Sequence, residues 1–183
     1  MTRILGLSGS LRRGSFNAGL LRAAAELAPA GVTIDIGSIR DVPLYDADAE
    51  QAEGIPAPVQ ALKASLLAAD GLLLATPENN NSIPGVFKNA IDWMSRPAND
   101  IARHFGGKPV AVIGASPGAF GTVMSQAAWL PVLRTLGTLH WTGGRLLVGR
   151  AGSLFDADGN LTDEATRERL RDFVAGFAAF IER

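Results

Sequence analysis

The chain contains no cysteine, which excludes disulfides, thiolate metal ligands and a cysteine nucleophile. It has only two histidines. Neither His104 nor His140 has a metal-ligand partner at suitable spacing, so both read as surface or hydrogen-bonded positions and no metal is expected. An excess of either charge is also missing: 17 basic and 18 acidic residues leave a net charge of −1. Without a basic field, nucleic acid and anionic membrane are unsuitable as main partners. Nor is there the strong acidity of a small electron carrier that docks on basic partners. No apolar run approaches membrane-spanning length, and Ile4–Leu7 is far too short for a signal-peptide core. A cytoplasmic location is expected.

What is present suits one globular domain over residues 1–183, with 47% apolar residues to fill a core. Arg3–Leu7 reads as a buried strand. Apolar residues at 20, 21, 24, 27 and 28 give the spacing of a helix over Asn17–Ala28, ended by Pro29 and Gly31. Val32–Ile36 alternates as a second strand. Asp41–Pro58, with Pro43, Pro56 and Pro58, reads as one long irregular surface excursion. Val59, Leu62 and Leu66 mark a helix, and Leu72–Ala75 is a third strand, apolar throughout as in sheets covered on both faces. Pro84 opens a helix to about Ser95, and Pro109–Gly114 is a fourth strand. A helix over Thr122–Leu136 carries Pro131, which predicts a kink. Leu139–Val148 is strand-like, interrupted at Gly143-Gly144, and a last helix opens at Thr162. This alternation predicts an α/β, three-layer, doubly wound parallel sheet of five strands in the order 2-1-3-4-5.

In such a sheet, ligands bind beyond the carboxyl ends of the strands, where the winding reverses. Three unusual loops fall on that edge. The first, Gly9-Ser10-Leu11-Arg12-Arg13-Gly14-Ser15-Phe16-Asn17, combines glycines, short polar side chains, two cations and a following helix N-terminus. These are the components of a phosphate socket. The second is Thr76-Pro77-Glu78-Asn79-Asn80-Asn81-Ser82, and the third Ala115–Gly121. Each alone fits ordinary turn chemistry; their convergence on one edge favours a site.

Rival motifs fail on particular letters. Gly9-x4-Gly14 has the frame of a P-loop, but Ser15-Phe16 follow where lysine and a hydroxyl are required. Gly6-Leu7-Ser8-Gly9 lacks the second glycine of a dinucleotide fingerprint. Gly114-Ala115-Ser116-Pro117-Gly118 has the letters of a hydrolase nucleophile turn, yet Pro117 has no N–H for the oxyanion. No acid lies between Ser116 and His140 to complete a triad. Asp156–Asn160 resembles a calcium loop, but its glycine comes too early and Arg167 stands where a bidentate Glu is needed.

The loops together resemble the NAD(P)H-dependent FMN reductases, a flavodoxin-like family that includes bacterial quinone and chromate reductases. The resemblance rests on Gly9–Asn17, on Pro77–Gly85, on Lys88-Asn89-Ala90-Ile91-Asp92-Trp93-Met94-Ser95-Arg96-Pro97 and on Gly114–Gly118. It implies a flavodoxin-like fold and an enzyme that passes hydride from NADPH or NADH to FMN. The electrons then go to a quinone, or to free flavin, an azo compound or chromate. It implies that Ser10, Arg12, Ser15 and Asn17 hold the FMN phosphate, with Phe16 in the same cofactor-binding set. Pro77, Glu78, Asn79 and Asn80 would lie along the isoalloxazine, and Ser116 and Gly118 on its pyrimidine side. No side chain is required as a catalytic acid, base or nucleophile, because the cofactor carries the redox chemistry. The alternative is a flavodoxin-type electron carrier or flavin-binding module without its own NAD(P)H turnover.

One position departs from the family pattern. Tyrosine usually follows Pro-Glu, whereas this chain has Asn79, which removes a stacking surface beside the flavin; Phe120 is the candidate replacement. The helix after Pro84 has a wide apolar stripe that suits either deep burial or a second subunit facing Trp93. Family members are usually dimers or tetramers, which implies a homodimer or homotetramer here.

Overall fold

The computed structural model describes residues 1–183. Six strands form one sheet: β1 (Thr2–Ser8), β2 (Val32–Gly37), β3 (Gly71–Ala75), β4 (Pro109–Ala115), β5 (Leu139–His140) and β6 (Leu146–Val148). The order is β2-β1-β3-β4-β5, with β6 also paired to β4, and every pairing is parallel. The helices are α1 (Phe16–Glu26), α2 (Ala47–Glu53), α3 (Ala57–Ala68), α4 (Gly85–Met94), α5 (Ile101–His104), α6 (Val123–Thr135) and α7 (Glu164–Ile181).

Alternation along the strands sends side chains to two cores. Ile4, Leu73, Ala75 and Ile113 join Leu20 and Leu21 of α1 and Phe173 and Phe177 of α7. Leu5, Leu7, Leu72, Leu74 and Val112 face the other way, onto Leu62 and Leu66 of α3, Phe87 and Ile91 of α4, and Trp129 of α6. Each fully buried leucine contributes about 1.5–3 kcal/mol, so covering both faces is what holds the parallel sheet flat against its helices. The predicted three-layer, doubly wound architecture is therefore observed, with differences in detail.

The predicted irregular stretch 41–58 contains α2. Asp46 caps it by accepting from the Asp48 amide, and Asp48 and Glu50 lie in its first turn. None of its residues is buried, so capping and macrodipole terms form this helix where no apolar periodicity exists. The single strand expected over 139–148 is two short ones, β5 beside Pro109–Val110 and β6 beside Ile113–Ala115. Directly after β5, Trp141 still donates its amide to the Val110 carbonyl at 2.8 Å, and its ring packs edge-on to Phe173 of α7, 4.8 Å between centroids. Side chains at Gly143 or Gly144 would collide with that indole. α6 continues past Pro131 for another turn.

Trp93 resolves the question left by the wide stripe on α4. It is 1% exposed; its Nε1 donates to the Pro43 carbonyl at 3.0 Å, and the Tyr45 ring meets it edge-on at 5.0 Å. The segment before α2 thus covers Trp93 from within the same chain, which is the deep-burial alternative of the two left open by the sequence.

Candidate functional site

All three loops singled out in the sequence open from the carboxyl edge of the sheet. The loop after β1 and the first turn of α1 supply Ser10, Arg12, Ser15, Phe16 and Asn17; the loop after β3 supplies Pro77, Glu78 and Asn79; the end of β4 supplies Ala115, Ser116 and Pro117. Together they line a cleft of about 270 Å³. Nine of the eleven expected site residues are in this lining. Asn80 and Gly118 are not, and Ala115 and Pro117 are additional to the expected set.

One end of the cleft is cationic and rich in donors. Ser15, 2% exposed, caps α1 by accepting from the Ala18 amide at 3.2 Å, which leaves its hydroxyl hydrogen free to donate. Arg12 donates from Nη2 to the Gly14 carbonyl at 2.7 Å and lies 5.0 Å from the Phe16 ring centroid. Phe16 rests in turn on Phe155, 5.0 Å away. The guanidinium is therefore braced while most of its five N–H groups remain unspent. Ser10 Oγ accepts from the Arg12 amide at 3.4 Å. With the free first-turn amides of α1, this set can hold a dianionic phosphate. Arg40, just beyond β2 on the same edge, braces the loop from outside by donating to the Leu11 carbonyl at 2.6 Å. The sequence reading missed it; an arginine following a strand end next to the socket was the available signal.

Two of the expected cofactor-binding residues also tie separate elements together. The Asn17 carboxamide donates to the Ala115 carbonyl and accepts from the Ala115 amide, both at 2.9 Å and both buried. It joins α1 to the end of β4, with one amide hydrogen left over. The Glu78 carboxylate accepts from the amides of Met124 at 2.8 Å and Ser125 at 3.0 Å. Its charge is turned onto the start of α6.

The other end of the cleft is a slot between Pro77–Asn79 and Ala115–Pro117. With Glu78 turned aside, these walls present peptide groups and small side chains. Close approach sets the glycines here: a Cβ at Gly9 would collide with Phe87 and Pro77, and one at Gly114 with Thr122 and the Thr76 carbonyl. Ser116 Oγ donates to the Gly121 carbonyl at 2.6 Å, closing its own loop. It is thus a turn residue with no base beside it. The asparagine run has a backbone cause. Asn79 and Ser82 exchange both backbone hydrogen bonds, at 3.2 and 3.0 Å, while Asn80 and Asn81 take φ of 49° and 58°. That is a tight turn with two left-handed residues, a conformation in which asparagine is among the most tolerated non-glycine residues. Phe120 is 83% exposed on the third loop and outside the cleft lining, so it is not packed where the family's tyrosine would stand.

Groups outside the cleft have structural tasks. Asp156 accepts from the Asn160 amide at 2.8 Å and side chain at 3.1 Å, and these bonds lower its pKa; it closes a turn. His104, 5% exposed, sits 3.0 Å from the Asp100 carbonyl. Burial lowers the pKa of His140, which lines a more apolar hollow with Val123, Leu130 and Trp141 between α6 and the β5–β6 gap. Gln126, Thr142 and Arg145 also line that hollow.

A doubly wound parallel sheet with a donor-rich cleft at the carboxyl ends of its strands is a flavodoxin-like arrangement. The family model for NADPH-dependent FMN reductases matches residues 2–153. An NAD(P)H-dependent FMN reductase of Pseudomonas aeruginosa is 40% identical, over 99% of this chain and 96% of the relative. A quinone reductase of Escherichia coli is 38% identical over 99% and 96%. Among solved structures, the flavoenzyme NAD(P)H:(acceptor) oxidoreductase FerB of Paracoccus denitrificans superposes with a TM-score of 0.87 at 35% identity, covering 100% of this chain and 98% of its own. The chain belongs to the NADPH-dependent FMN reductase family and is an FMN-dependent oxidoreductase using NAD(P)H. Membership sets aside the electron-carrier alternative.

Proposed function

We propose that this enzyme oxidises NAD(P)H in the cytoplasm and reduces quinones, with FMN held in the cleft described above. The donor set carries the reading: Arg12, Ser10, Ser15 and the α1 amides converge at one end of the cleft, and the one carboxylate in its lining, Glu78, is spent on the Met124 and Ser125 amides. A relative of Burkholderia, 41% identical over 94% of this chain, is a 2-hydroxy-1,4-benzoquinone reductase, which supports a quinone over chromate or an azo compound.

FMN held in this cleft would supply the two-electron redox chemistry that links the nicotinamide to the second substrate. The protein's part is binding and orientation. Arg12 and Ser15 would anchor the phosphate, and the peptide groups of Pro77–Asn79 and Ser116 would hold the ring. Asn79 in place of tyrosine leaves the mouth of the slot wider and more polar. Steady-state NADPH oxidation with 1,4-benzoquinone, free FMN and chromate as competing acceptors tests the assignment; the quinone is expected to give the highest kcat/KM, and an undetectable quinone rate overturns it.

A homo-oligomer is part of the same proposal. With Trp93 buried, the apolar surface available for it includes Phe120 on the loop before α6 and Met124 and Leu130 on α6, which are 83%, 50% and 48% exposed. This surface borders the hollow lined by Leu130 and Trp141, and covering it with a second copy would bury it.

A further inference from the structure

Helix α6 begins in an unusual way. Its N-cap residue, Thr122, makes no side-chain capping bond; its Oγ1 instead accepts from Gln126 Nε2 at 3.2 Å. No acidic residue lies in the first turn. The free amides and the positive end of the dipole would be uncompensated. Compensation comes from another element, 46 residues earlier in the chain: one oxygen of Glu78 takes the amides of both Met124 and Ser125. A buried contact of 2.8 Å between the hydroxyls of Thr76 and Ser125 joins the same two elements.

The location of this tie matters for the slot. Glu78 lies between Pro77 and Asn79, on one wall, and directly precedes the tight turn at Asn80-Asn81. α6 follows the Ser116–Gly121 loop that forms the opposite wall. From this geometry we infer that Glu78 is a positioning residue: through the first-turn amides of α6 it fixes the separation of the two walls and the placement of Asn79. It thereby sets affinity for the flat ring and not for the phosphate. The inference rests on the flavin site proposed above.

The test separates ring from phosphate by comparing FMN with riboflavin, which has the same ring and no phosphate. Titrations of the apoprotein by flavin fluorescence are expected to show Glu78→Ala weakening both ligands by a similar factor, at least about tenfold for losing a charged hydrogen-bond acceptor. Arg12→Ala is expected to weaken FMN alone. Glu78→Gln keeps an acceptor oxygen and should recover much of the loss. Met124→Pro removes one donor while placing proline in the first helical turn, where it is tolerated; it should weaken both ligands, and no further in combination with Glu78→Ala. In the flavin-free protein, the Ser125 amide should exchange with solvent faster in Glu78→Ala.

If Glu78→Ala fails to fold, Met124→Pro alone carries the test. Unchanged riboflavin binding in a folded Glu78→Ala or Met124→Pro, or additive losses in the double variant, overturns the positioning role while leaving the flavin site intact. Failure of the wild-type apoprotein to bind FMN overturns both.

Discussion

Asn17 and Ala115, 98 residues apart in sequence, pair through two buried hydrogen bonds of 2.9 Å, the side chain of one completing both backbone groups of the other. β4 has no partner strand at this point for those groups, and an asparagine on the first turn of α1 takes that place. The floor of the cleft is thereby fixed before any ligand enters.

Asn17→Ala leaves the Ala115 N–H and C=O buried and unpaired. The expected loss of stability is about 2–4 kcal/mol, measured by urea unfolding of the apoprotein. A loss below about 0.5 kcal/mol would mean that water replaces the carboxamide at no cost.

Arg12→Ala and Ser15→Ala should each weaken FMN binding by about 1.5–3 kcal/mol, the range for a hydrogen bond to a charged group. They differ in a second property. Ser15 also caps α1, so its removal should lower apoprotein stability by about 1 kcal/mol, while Arg12→Ala should leave stability nearly unchanged. Fluorescence titration and urea unfolding of both variants check the pair.

Gly114→Ala places a methyl group against Thr122 and the Thr76 carbonyl. Overpacking there should cost about 1–3 kcal/mol. Ser116→Ala, by contrast, should leave any residual esterase background unaltered, because the hydroxyl is spent on Gly121. A p-nitrophenyl ester assay of the two variants distinguishes packing from nucleophilic chemistry in this G-x-S-x-G segment.

Glu50 receives hydrogen bonds of 2.8 Å from Arg96 and 2.9 Å from Tyr45. Burial pushes its pKa up, but these bonds outweigh burial and the pKa is lowered. Stability from a lowered carboxyl pKa is present above the unfolded value and is lost as the pH falls through the folded value. The cover that segment 43–50 places over Trp93 should therefore loosen in acid, as the pH falls below the ordinary glutamate range. An acid titration of tryptophan emission should show this transition in the wild type, and Glu50→Gln should lack it.

The apolar side of α6 makes a prediction about assembly. Replacing Met124 and Leu130 together by Glu should shift the protein from oligomer to monomer in light scattering, with FMN affinity reported separately. A wild type that is monomeric at micromolar concentration contradicts the oligomer.

These relationships divide what the amino acids disclose locally from what only the assembled sheet discloses. The apolar runs of β1, β3 and β4 and the periodicity of α1 and α7 are local, so sheet order and the edge bearing the three loops were readable. That Arg12 and Ser15 line the cleft was readable because they sit in a polar, glycine-rich turn at a strand–helix junction. Asn17 and Glu78 look like ligand contacts in sequence, since nothing local shows that Ala115 and the α6 amides lack partners. The sequence left Trp93 between burial and a subunit contact for the same reason: the covering residues, Pro43 and Tyr45, lie in a segment without apolar pattern. Asn80 and Asn81 were chosen for φ, a property that only the closed turn displays.

The most direct test of the flavin site and its reaction is an anaerobic mixing experiment. Protein reconstituted with FMN is mixed with NADPH and its absorbance near 450 nm is followed, after which 1,4-benzoquinone is added. The absorbance should bleach within seconds and return on addition of the quinone. Tight FMN binding with no bleaching by either NADPH or NADH would contradict the enzyme account.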